Sequence, residues 1–291
     1  MNILMWHGYL LTGTGSNIYV RDLVAQLVKK GHHVTLLCQE PNPEAIDFIS
    51  EAHEFLPDNQ TFKEVFKRST PYPGSCRFYK PNLGGFLPVY VWDHYDGYAV
   101  KEFHDLTQPE LDRYIEQNRA SVEKLLVENR IETIYTNHTV MSPYVFSLVA
   151  PKYKVPYFVV IHGSCLNYTV RKEERYMSYA VKGLDGASGV VVVSQYMADE
   201  VRKVLSDRIP GLDRKIKIIP CGVDVDAFAI PGDGKETNIR QVREVLRGTI
   251  KEKPNGRNRV QMEEFQKSLA SVKDKRGLRE LVLAHREKYN Y

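Results

Sequence analysis

Apolar runs of strand length alternate with stretches of helical periodicity along most of this 291-residue chain, and no other feature restricts its fold as much. The runs are Asn2–Trp6, Val34–Cys38, Ile134–Thr136, Tyr157–Ile161, Gly189–Val193 and Ile216–Ile219, and a helical pattern precedes each after the first. Two strands joined through a helix lie parallel, and successive crossovers build an open sheet covered on both faces. The first helix shows the pattern: Ile18, Val20, Leu23, Val24, Leu27 and Val28 form an apolar stripe that ends at Lys29-Lys30-Gly31. The expected fold class is α/β, a doubly wound and mainly parallel sheet of the Rossmann-like type, followed by a helical C-terminal tail.

Two stretches depart from this rhythm. Residues 41–110 are dense in Pro, Gly and aromatics, as in Thr70-Pro71-Tyr72-Pro73-Gly74. A long irregular segment inside a compact domain is usually a functional loop, and this one is expected to add short strands at a sheet edge. From Pro231 onward the chain carries 15 Lys/Arg against 9 Asp/Glu, whereas residues 1–230 carry 25 against 27. The basic excess therefore lies in a tail with two helical patterns, 238–250 and 260–289, separated by Lys253-Pro254-Asn255-Gly256. The expected division is a domain over 1–230 and a charged helical tail over 231–291. Mixed charges on a helix form a solvated face, although a basic tail can also touch anionic lipid or nucleic acid.

No window approaches the roughly 20 apolar residues of a membrane span, and Met1-Asn2-Ile3-Leu4-Met5 has no basic leader region, so a cytoplasmic location is expected. Cys38, Cys76, Cys165 and Cys221 are far apart, without metal-ligand spacing, and read as free thiols. The chain contains no P-loop, no GxSxG elbow and no HExxH pair.

Several strand ends carry groups with chemical potential. The turn Thr12-Gly13-Thr14-Gly15-Ser16-Asn17 lies between the first strand and first helix, where glycines let backbone N–H groups face an anion; a tight turn without ligand is the other reading. A dinucleotide fingerprint would need glycine at position 18, where Ile18 stands, though Glu40 is placed much as a ribose-binding acid would be. His162-Gly163-Ser164 closes one strand and Asn137-His138 another, so both would emerge on the edge of the sheet where ligand crevices lie; either histidine could instead be structural. Ser194 reads as the cap of the following helix. In Trp92-Asp93-His94-Tyr95-Asp96-Gly97-Tyr98 the tyrosines read as packing and Asp93 stays open as an acceptor contact.

The sequence Lys217-Ile218-Ile219-Pro220-Cys221-Gly222-Val223-Asp224 resembles the crossing between the two halves of retaining glycosyltransferases of the GT-B architecture, family 4. The glycine turn, Lys30-Gly31-His32-His33-Val34-Thr35, the His162-Gly163-Ser164 loop and Val193-Ser194 share in the resemblance, which covers about the first 230 residues. It implies the N-terminal, acceptor-side half of an enzyme that moves a sugar from a nucleotide-sugar to an acceptor hydroxyl, carbohydrate or lipid-linked, with no obligatory metal and no cofactor beyond that co-substrate. His162 would contact the transferring sugar as the catalytic residue. Gly13, Thr14, Gly15, Gly163 and Ser164 would meet the donor diphosphate or sugar, and Asp93, Asn137 and His138 the acceptor. Only 63 residues follow Phe228, too few for a second α/β domain, so the donor-binding half is expected elsewhere, in the same or a partner chain, and the isolated chain is expected to be inactive.

Two rivals belong to other classes. One is an NAD-dependent oxidoreductase, motivated by the glycine turn and Glu40; the other is a non-catalytic carbohydrate-binding module. A homodimer that covers the open cleft and a peripheral membrane contact through the tail are further partnerships; nothing in the charge pattern calls for nucleic acid.

Overall fold

The computed structural model describes residues 1–225 and scattered positions from 267 to 284. The chain divides into two compact units, Met1–Gly222 and Val223–Tyr291. In the second unit the positions 267–269, 277, 280–282 and 284 have helical backbone, within the expected pattern at 260–289; the pattern at 238–250 lies outside the described residues.

The first unit is the expected doubly wound domain. Its elements in chain order are β1 (Asn2–Trp6), α1 (Gly15–Lys29), β2 (His33–Leu37), β3 (Ile49–Phe55), β4 (Phe62–Lys67), β5 (Ser75–Lys80), β6 (Phe86–Val89) and β7 (Ala99–Glu102). There follow α2 (Gln108–Glu128), β8 (Thr133–Asn137), α3 (Ser142–Tyr153), β9 (Tyr157–Ile161), α4 (Glu174–Asp185), β10 (Gly189–Val192), α5 (Gln195–Leu205), α6 (Leu212–Lys215) and β11 (Ile216–Ile218). The main sheet runs β11-β10-β9-β8-β1-β2-β5-β3-β4. Every neighbouring pair is parallel except β3 with β4.

The sheet buries both faces, which is why its central strands read as continuous apolar runs. Alternate residues of β1 feed opposite layers: Leu4 and Trp6 pack into one core cluster, Met5 into the other with Val20, Val24 and Leu36. The stretch 41–110 is more regular than its composition implies. Three of its strands widen the main sheet beyond β2, and β6 and β7 pair parallel with each other. The loop between β6 and β7, residues 90–98, carries the aromatic segment.

Gly74 shows how closely these layers approach. A Cβ there would lie 2.1 Å from the His32 carbonyl oxygen and 2.7 Å from that of Val28, and neither backbone atom can swing away. Gly74→Ala is expected to cost about 2 kcal/mol and to lower Tm by roughly 5 °C in a thermal melt. Gly222→Ala, where a Cβ meets nothing within 4 Å, is the control and should leave Tm unchanged.

Candidate functional site at the switch point

Strand order reverses between β1 and β8. On one side of β1 lie β2, β5, β3 and β4; the chain then returns to β8 and continues through β9, β10 and β11 on the other. Helices that start from β1 and β8 therefore leave on opposite faces and open a crevice at the strands' C-terminal ends. At this end stand His7 after β1, Asn137 at the end of β8, His138 just after it and His162 after β9. A smaller hollow of about 160 Å³, lined by Asn2, His33, Thr35 and Arg77 among others, lies at the opposite end of β1, β2 and β5.

Two histidines are held by one device used twice. The Asn137 amide nitrogen donates to the Trp6 carbonyl at 3.1 Å, which turns its oxygen toward His162 Nε2 at 2.9 Å. The Asn17 amide nitrogen donates to the Thr12 carbonyl at 2.5 Å, and its oxygen meets His7 Nε2 at 2.8 Å. An amide oxygen only accepts, so this network assigns the proton of each neutral imidazole to Nε2 and leaves Nδ1 as an acceptor. Burial lowers the pKa of both His7 and His162 to about 4, against the 6.5 of a free imidazole. Both rings are neutral near pH 7. The Tyr19 ring sits edge-on to His162, with centroids 5.0 Å apart, and its hydroxyl is 3.0 Å from that of Tyr135.

His138 lies between them without such a clamp. Its ring centroid is 5.6 Å from His7, 5.3 Å from His162 and 4.7 Å from Tyr90, and its backbone holds φ 72°, a left-handed conformation uncommon for a side chain of this size. Neither ring nitrogen has a hydrogen-bond partner among the described residues, although the residue is buried. Burial first, then the neighbouring imidazoles, push its pKa well below the ordinary value. Both nitrogens are shielded from solvent, so this neutral imidazole keeps an unused donor and an unused acceptor beneath the crevice.

The crevice opens into a cleft of about 310 Å³. One wall is the start of α1, where Thr14, Gly15 and Ser16 line the space and no side chain caps the first turn, so N–H groups at the positive end of the helix remain for a ligand. Gly13, with φ 91°, makes the turn into that helix. The facing wall is the loop 90–95, with Tyr90, Trp92, Asp93 and Tyr95. Tyr9 packs against both Tyr90 and Tyr95, with centroids 5.6 Å and 6.1 Å apart. His138, His162 and Ser164 form the floor. Gly163, at φ 103°, permits the reversal after His162; a Cβ there would stand 3.0 Å from Met197 Sδ.

The fold thus brings together Thr14, Gly15, Asp93, His138, His162 and Ser164 from four separate segments. Asn137 is placed differently from its expected acceptor contact. It is buried and both ends of its amide are engaged, so it orients His162 from behind the cleft. The carboxylate of Glu40 accepts from the Leu11 and Asn42 amides, and is thereby committed to the loop that follows β1. Ser194 caps α5 by accepting from the Met197 amide at 3.2 Å. Cys38, Cys76, Cys165 and Cys221 are free thiols.

An open, doubly wound α/β domain with a polar cleft at its switch point defines the class of Rossmann-like ligand-binding domains. The sequence profile of Glycosyltransferase Family 4 matches residues 13–227, and the chain belongs to that family as its N-terminal domain. A comparison with curated proteins finds no match. Among solved structures, an E. coli protein described as trehalose-6-phosphate bound with UDP-2-fluoro glucose aligns at 12% identity and a TM-score of 0.49, over 83% of this chain and 54% of that one. A UGT transferase from Siraitia grosvenorii in complex with UDP aligns at 12% identity and 0.38, over 88% and 57%. UDP-GlcNAc 2-epimerase from Neisseria meningitidis bound to UDP-GlcNAc aligns at 12% identity and 0.40, over 75% and 46%. The chain spans about half the length of these structures.

Proposed function

We propose that this chain is the acceptor-side half of a retaining glycosyltransferase that takes a nucleotide-sugar as donor and works together with a donor-binding domain. The observation that carries this reading is the neutral His162, fixed by Asn137 on the floor of a cleft whose facing edge is the uncapped start of α1. The N–H groups near Gly13, Thr14 and Gly15 suit the diphosphate of the donor. His162, Gly163 and Ser164 suit the transferring sugar, and His162 Nδ1 can accept from one of its hydroxyls. Asp93 and His138 suit the acceptor.

In the reaction the bond between the anomeric carbon and the phosphate oxygen breaks, the acceptor oxygen bonds to that carbon on the same face, and the acceptor proton leaves with the diphosphate. Charge accumulates on the diphosphate as this happens, and the described residues lining the cleft include no Lys or Arg to meet it. On this reading a donor domain brings the cationic groups, and the isolated chain is expected to be inactive.

The test supplies that domain, either as the extended reading frame or as a separately expressed subunit, and measures nucleoside diphosphate release over a panel of nucleotide-sugars and sugar acceptors. Acceptor-dependent release, with an α-linked product from an α-linked donor by NMR, is the expected result. Absence of acceptor-dependent release with every donor domain sinks the reading, and inversion at the anomeric carbon sinks the retaining part.

A further inference from the structure

The proposed acceptor site has a charge pattern that restricts what it can take. Among the described residues lining the cleft, Asp93 is the one Asp, Glu, Lys or Arg. The two histidines on the floor are neutral for the reasons given above. Just outside, on the same loop, Asp96 adds a second carboxylate beside His94 at 2.9 Å, fully exposed. Among the described residues the anion-accepting feature of the cleft is the start of α1, and on the proposed reading the donor diphosphate occupies it.

The rest of the acceptor wall is aromatic. Trp92 is 56% exposed and Val91 46% exposed at the lip, whereas Tyr9, Tyr90 and Tyr95 are buried behind them. An indole left in water beside a carboxylate, with the Ser164 hydroxyl among the lining groups, presents one flat apolar surface and a few polar groups. That combination matches a ring with an apolar C–H face and hydroxyls around its rim. It does not match a phosphate or carboxylate, which would lose its hydration beside Asp93 with no Lys or Arg among the described lining residues to replace it.

We infer that the acceptor is an uncharged polyhydroxylated ring, a neutral sugar or cyclitol stacked on Trp92 and hydrogen-bonded to Asp93, and that phosphorylated acceptors are excluded. This rests on the reading of the cleft as the acceptor site. Neutral sugars reach such a site either free or as the headgroup of a glycolipid, and both present the same ring to Trp92.

The experiment is saturation-transfer NMR and titration on this chain with methyl α-D-glucopyranoside, methyl α-D-mannopyranoside and myo-inositol, against glucose 6-phosphate, mannose 6-phosphate and myo-inositol 1-phosphate. Tryptophan emission gives a second readout, since the chain has two tryptophans and Trp6 is buried at 2% exposure. At least one neutral ring is expected to bind about ten-fold more tightly than its phosphorylated counterpart, with a shift of Trp92 emission. Trp92→Ala should weaken the neutral ligand, and Asp93→Asn should narrow the discrimination; circular dichroism melts show whether each variant is folded. Octyl β-D-glucopyranoside below its micelle concentration separates the sources, because tighter binding than the methyl glycoside marks a lipid-borne ring at the Val91 and Trp92 lip and equal binding marks a free one. Tighter binding of the phosphorylated series, or discrimination unchanged in folded Asp93→Asn, overturns the inference and leaves the acceptor reading standing. Binding of neither series overturns the acceptor reading itself, and the inference with it.

Discussion

Acidification from pH 7.5 to 4.5 is expected to strip about 5 kcal/mol from the stability of the folded domain, through the histidines of the switch point. His7 and His162 each fall from 6.5 to about 4 on folding, because burial disfavours the imidazolium. The unfolded chain takes up these protons as pH drops through 6.5, while the folded chain refuses them until pH 4. Between those values the unfolded state binds more protons, so stability falls steadily with pH; above 6.5 the contribution is complete, and below 4 it levels off. At 1.36 kcal/mol per pH unit each histidine contributes about 3 kcal/mol over that window. His138, also depressed, works in the same direction. Urea denaturation at pH 7.5, 6.5, 5.5 and 4.5 measures the slope directly. The double substitution His7→Gln and His162→Gln keeps a donor near each Nε2 position and removes the titration, so its stability should be much flatter. A wild-type stability unchanged between pH 7.5 and 4.5 would show that these rings are not neutral by burial.

The same histidines show what a sequence can and cannot disclose. The strands were legible because a parallel sheet buried on both faces demands runs such as Val190-Val191-Val192, and no surface element needs them. His162 was legible because it follows such a run and precedes a glycine. His7 stands in a similar position after β1, yet it passes as one of nine histidines until the fold sets it 5.6 Å from His138. Asn17 reads as an ordinary polar residue in the first turn of a helix; only its contact with the Thr12 carbonyl shows that it clamps a ring. Strand β3, Ile49-Ser50-Glu51-Ala52-His53-Glu54-Phe55, mixes polar and apolar residues without clean alternation, since a bulge at Ala52 and His53 shifts its register with β4. Residues 41–110 accordingly show in the sequence as an irregular segment with short edge strands, without the number or order of those strands. The cleft joins four segments far apart in the chain, and nothing local links Asp93 to His138.

Asn137→Leu separates a residue that touches ligand from one that orients its neighbour. Leucine fills a similar volume but leaves the Trp6 carbonyl and the His162 Nε2–H without their buried partner, at a cost of about 3 kcal/mol. Without the amide oxygen nothing fixes the His162 proton on Nε2, and the ring is free to turn and to exchange tautomers. On the proposed reading, with a donor domain supplied, kcat is expected to fall about 100-fold, since a general loss of positioning at the reacting centre is worth that much, and the acceptor KM should move little. His162→Ala sets the floor for this effect, and the double variant should be no worse than His162→Ala alone, because Asn137 acts through that ring. Nitrogen-15 NMR of the histidine rings in this chain supplies a readout that simple destabilisation does not move: one Nε2–H tautomer for His162 in the wild type, a mixture in Asn137→Leu. If instead the acceptor KM rises with kcat preserved, or the tautomer persists without the amide, Asn137 contacts the acceptor directly and the clamp has no catalytic role.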